Sequence, residues 1–128
     1  MNKEQVTQWV TNGPSKELIN AASDFGQHLK EQKLNTSQIR QVFTKMKNIE
    51  SKGLDQNRMG DLLMLKPFIS YAAGRHRDVR GLQDLKQMVC NGIDCVADAK
   101  AEARHASFRN FVKLFEAVLA YHRAAGGI

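Results

Sequence analysis

The apolar positions of this chain recur every three or four residues, and no stretch alternates apolar and polar as a half-buried strand would. After the Gly13-Pro14 break, Ser15 can cap a helix that carries Leu18, Ala22, Phe25 and Leu29 on one stripe and ends near residues 30–34. The residues before Gly13, around Val6, Trp9 and Val10, read as a loosely attached arm. A second start follows at Asn35-Thr36-Ser37-Gln38, where Asn35 or Thr36 can cap and Gln38 stands three places after Asn35, as a capping box wants. Ile39, Val42, Phe43, Met46 and Ile49 continue it at helical spacing.

A third helix is predicted from Asp55 or Asn57 through Met59, Leu62, Leu63, Leu65, Phe68, Ile69, Ala72 and Ala73. Its apolar residues wrap almost all the way round, the pattern of a central helix. Pro67 removes a backbone donor and predicts a kink, which leaves the exposure of Lys66 open. A fourth helix after Gly81 has Leu82, Leu85, Val89, Ile93 and Val96 on one stripe, with Gly92 as a weak point. The last places Phe108, Phe111, Val112, Phe115, Val118, Leu119 and His122 on one face before Gly126-Gly127 ends it. The stripe of phenylalanines is core packing, not a platform for stacking bases. Tyr71 and Tyr121 lie off these stripes, and each can pack with its hydroxyl at the rim.

The expected fold is therefore an all-α, compact single-domain bundle of about five helices over residues 14–128, preceded by a flexible arm at 1–13. A length of 128 residues suits one domain with a real core. There is no apolar run of membrane-spanning length and no signal-like start, so a soluble, cytoplasmic protein without a membrane partner is expected. Cys90 and Cys95 read as free thiols, since five residues place them roughly 140° apart on a helix, poorly set to share a metal. The histidines are scattered, with no two at i and i+4, so neither metal nor cofactor is expected.

Charge changes the picture most. A formal net charge of +6 favours a polyanionic partner. It is concentrated where the third helix ends, in Tyr71-Ala72-Ala73-Gly74-Arg75-His76-Arg77 with Arg80 beyond, offset only by Asp78. Gly81 would leave the backbone free to approach an anion there. On the second helix Arg40 and Lys47 fall within roughly 20° of each other and form a short basic rail about 10 Å long, while Lys45 and Lys52 make a similar row on the opposite flank. Catalytic constellations are missing: there is no Gly-rich phosphate loop, zinc-protease helix motif or Gly-x-Ser-x-Gly elbow. Glu116, one turn from Lys113 and two from Arg109, reads as a pairing residue rather than a general acid. His76 as a ribonuclease base is the one enzymatic role that can be phrased, and no partner acid or base stands near it in sequence.

Three segments then carry a family resemblance. Leu34-Asn35-Thr36-Ser37-Gln38-Ile39-Arg40, then Tyr71-Ala72-Ala73-Gly74-Arg75, then the run from Phe111 to Gly127 resemble, in the same order, the small subunit of type III-A CRISPR effector complexes. The likeness spans residue 34 to the end and leaves the first thirty residues unmatched. It implies a non-catalytic RNA-binding subunit, present in several copies along an RNA-guided complex and beside its other subunits. Its RNA partner would be the duplex of target strand and crRNA. Because such a subunit must serve any guide, contacts should go to phosphates and riboses while base pairing supplies specificity. By position the resemblance carries Arg40 and Arg75 over as RNA contacts. Charge adds Lys47, Arg77 and Arg80, with Lys66 and His76 as further candidates. The competing expectation is a helical protein-interaction scaffold whose basic face meets acidic partner subunits.

Overall fold

The structure, a computed structural model, describes residues 1–128 and is all-helical. Seven α-helices and one 3-10 turn follow in order: α1 Lys3–Asn12, α2 Lys16–Glu31, α3 Thr36–Lys52, α4 Gln56–Leu63, α5 Leu65–Arg75, α6 Arg80–Asp98, the turn Ala101–Ala103, and α7 Arg104–Ala124. None of these helices is long and apolar enough to cross a membrane.

The starts follow local chemistry. Ser15 Oγ accepts the Leu18 amide at 3.1 Å, and Asp55 accepts the Arg58 amide at 2.8 Å. Asn35 and Gln38 close a capping box: the Gln38 amide donates to Asn35 Oδ1 at 2.8 Å, and the Asn35 amide donates to Gln38 Oε1 at 3.2 Å.

Two differences from expectation raise the helix count. Residues 1–13 do not form a loose arm: Asn2 and Gln5 make a second capping box, and the helix they start buries Val6, Trp9 and Val10 against α6 and α7. Trp9 anchors the helix and is 5% exposed. The predicted third helix is also two helices. Pro67 would meet the Leu63 carbonyl in a continuous helix, and the chain breaks at Met64 so that Pro67 falls in the first turn of α5, where a missing amide costs nothing. The break ends one helix and starts another where a kink was expected.

This segment is not the centre of the bundle either. Only Leu65, Ile69 and Ala73 of α5 are buried, whereas Tyr71 is 69% exposed rather than packed at a rim. The interior belongs to α6 and α7: α7 packs on α1, α2, α3 and α6, and α6 also meets α4 and α5. Phe111 and Phe115 of α7 are fully buried, as the phenylalanine stripe required. Gly92 is a fitted contact rather than a weak point, since a Cβ there would lie 2.2 Å from Phe111 Cε1. Gly81 is likewise spent on packing: its amide donates to the Gln32 carbonyl at 2.9 Å, and a Cβ would stand 2.8 Å from that of Leu34. Its backbone therefore faces the α2 terminus and not an anion. Buried His122 donates its Nε2 proton to the Leu34 carbonyl at 2.6 Å, tying α7 to the same turn. Cys90 and Cys95 are both free, and burial raises the Cys90 thiol above its ordinary pKa.

Candidate nucleic-acid interface

Helices α3 and α5 lie side by side, and their apolar stripes leave the facing flanks to line a furrow. Three adjoining hollows make it up, with Phe68 on the wall of each. The first, about 460 Å³, is framed by Arg40, Gln41 and Lys45 of α3. The second, about 270 Å³, carries Gln38 and Gln41 from α3 and Arg75 and His76 from the end of α5. The third, about 550 Å³, lies at the α4 end and has the widest apolar wall of the three.

Two of the furrow's cations sit over aromatic rings. Lys45 Nζ stands 4.7 Å from the Phe68 ring centroid, and the Arg75 guanidinium carbon 5.8 Å from that of Tyr71. Such stacking leaves the N–H donors free for an oxyanion. The molecule's paired charges lie elsewhere, in Lys47–Glu50 at 2.8 Å and Lys66–Asp94 at 2.6 Å, and His28 is hydrogen-bonded to Asp84 at 2.7 Å. Arg40, Lys45 and Arg75 thus line the furrow without an acidic partner.

The rail of Arg40 and Lys47 is divided by this arrangement. Lys47 turns to Glu50 one turn along α3, and the hydrogen bond to that carboxylate raises its pKa above the usual lysine value. Glu116 of α7 adds to the same field and pairs with neither Lys113 nor Arg109. The residue that joins Arg40 is Lys45, from the row on the other flank. Lys66 is half-buried, and its bond to Asp94 on α6 raises its pKa likewise. Arg80 opens α6 and lines a separate cavity with His28 and Asp84, about 660 Å³ in volume, between α1, α2 and α6. Arg77 is exposed in the turn between α5 and α6.

That turn is braced from below. The side-chain Nε2 of Gln83 donates to the Ala73 carbonyl at 2.8 Å and to that of His76 at 3.3 Å, and the Val79 backbone amide donates to the His76 carbonyl as well. Exposed Arg75, His76 and Arg77 are therefore presented by a fixed loop, while Arg75 also suits the negative end of α5. Gln83 was not singled out from sequence, and Lys45 was read there only as part of a row with Lys52 on the opposite flank, outside the candidate contacts. Lys45 had one signal available, its place a turn before Ile49 on the flank turned to α5.

The Leu34–Arg40 and Tyr71–Arg75 segments, far apart in the chain, meet across this furrow. The family model described as Csm2 Type III-A matches residues 12–127. The chain belongs to that family. Membership makes it a small subunit of a type III-A CRISPR effector complex, with other subunits of that complex as its partners. No curated protein and no solved structure matches the chain. The Csm2 match includes both walls of the furrow and all of α2–α7, and it leaves most of α1 outside.

Proposed function

We propose that this chain is a non-catalytic, sequence-independent RNA-binding subunit that holds the phosphate backbone of the target RNA and crRNA duplex along the α3–α5 furrow. The observation that carries the reading is the convergence of Arg40, Lys45 and Arg75, none of them in an ion pair, on one furrow of a basic chain. Arg40, Lys45 and Arg75 make the central contacts, and His76 and Arg77 extend them along the braced turn. Lys47, Lys66 and Arg80 are outer members, because each already faces a carboxylate or a separate cavity. Gln38 and Gln41 offer neutral donors for ribose hydroxyls, which would distinguish RNA from DNA without reading bases. Several copies in the cytoplasmic complex would then form one backbone path.

The test is the affinity of the isolated protein for unrelated single-stranded RNAs, measured by fluorescence anisotropy across a salt series. Meeting three or four phosphates gives a log-log slope of about −2 to −3. Arg75→Glu should weaken every sequence alike with helicity unchanged. An affinity indifferent to salt, or a loss confined to one sequence, would sink the phosphate reading. RNA breakdown by the isolated chain that His76→Ala abolishes would replace it with a nuclease.

A further inference from the structure

At its α4 end the furrow changes character. Five large apolar side chains stand exposed in the whole molecule, and two of them line this end: Met64 at 65% and Tyr71 at 69%. Met64 and Tyr71 join Ile49, Leu65, Pro67 and Phe68 around the hollow of about 550 Å³, a size that accepts one or two apolar side chains. Aliphatic groups offer a phosphate or ribose nothing, so this end is not a continuation of a backbone path. Exposed Met and Tyr beside Arg is instead the composition of a protein interface, and an apolar patch of this kind marks a docking site.

The charges around it select the partner. Lys45 lines the hollow and Arg75 stands over the Tyr71 ring, opposed by Asp61 alone. A second copy of a chain with net charge +6 is a poor match for that rim, whereas a segment with carboxylates beside its apolar anchors meets both features. The hollow is a groove between two helices, which suits a third helix laid along it. We infer that the Met64–Tyr71 hollow docks an acidic amphipathic helix of a different subunit of the complex, with apolar anchors one turn apart entering between α3 and α5 and Asp or Glu facing Lys45 and Arg75. The two readings share Lys45 and Arg75, and they part at Met64, which lines only the apolar hollow and which the RNA reading does not use.

The test uses the assembled effector complex with a benzophenone photo-crosslinker in place of Met64. The expected adduct falls on an apolar segment of another subunit flanked by Asp or Glu. Adducts on RNA, on a second copy of this chain, or on no component would each overturn the inference. A second measurement is incorporation into the complex in competition with the unaltered chain. Met64→Asp should lower it by about tenfold or more and Met64→Leu should restore it, both retaining the RNA affinity and helicity of the isolated protein. Incorporation of Met64→Asp within twofold of normal overturns docking. Failure of the RNA reading would appear separately, in Arg75→Glu.

Discussion

Lys33 shows how much one backbone angle can decide. Helix α2 closes with the Lys33 amide on the Lys30 carbonyl at 3.1 Å and the Leu34 amide on the Leu29 carbonyl at 3.0 Å, a pair of bonds that needs a left-handed residue between them. Lys33 takes that conformation, with φ of 73°, the only residue other than glycine to do so. A side chain there costs about 1 kcal/mol, and Leu34 is held in the core by the turn that imposes it. Lys33→Gly should therefore raise stability by about 1 kcal/mol, seen as a higher urea midpoint at unchanged slope, while Lys33→Ala brings no such gain. At Gly92 two effects oppose each other. Helix propensity favours alanine by about 1 kcal/mol, but its Cβ would meet the fully buried Phe111 ring at 2.2 Å. Overpacking wins, and Gly92→Ala should destabilise the protein by about 1–3 kcal/mol in the same measurement.

At the scale of the element, caps were legible because they are local. Ser15, Asn35 with Gln38, and Asp55 each do what their neighbours in sequence dictate. Helix α1 carried the same signal in Asn2 and Gln5, followed by Val6, Trp9 and Val10 at i, i+3 and i+4, and only its isolation before Gly13 made it read as an arm. What sequence did not carry was the outcome of packing between elements. Met64 and Tyr71 stay in water because α5 has nothing beyond its Leu65–Ile69–Ala73 face to cover them, and Lys45 joins the furrow because Phe68 of another helix lies beneath it. Arg40 and Arg75 were legible as contacts to test, but their meeting across α3 and α5 was not. The Asp55 cap also sets a pH dependence. The Arg58 amide holds its carboxyl below the usual aspartate pKa, so the carboxylate's contribution is complete above the unfolded value of about 3.9 and is lost as pH falls through the lower folded value. Asp55→Asn keeps an acceptor for the cap without the titration. The stability difference between the two proteins should therefore shrink below about pH 4 in acid-titrated urea unfolding, and a constant difference would reassign the shift.

For the molecule as a whole, the question is whether α1 belongs to one cooperative unit with the bundle, since most of it lies outside the family match. The packing answers that it does. Val6 and Val10 are fully buried, Asn110 of α7 donates to the Val10 carbonyl at 2.9 Å, and α1 touches both interior helices. Removing α1 would open an apolar face on α6 and α7 together. Trp9, the single tryptophan of the chain, reports on this directly. Its fluorescence transition should coincide with the loss of far-ultraviolet circular dichroism on heating, as one two-state unit requires, whereas an arm would lose its tryptophan signal first. Trp9→Ala should cost about 3–5 kcal/mol, a fall in Tm of about 10–20 °C. Because α1 packs on α6 and α7 and not on the walls of the furrow, the variant should bind RNA as tightly as the parent wherever it remains folded. A parallel loss of RNA affinity in the folded variant would instead place part of the RNA path on α1.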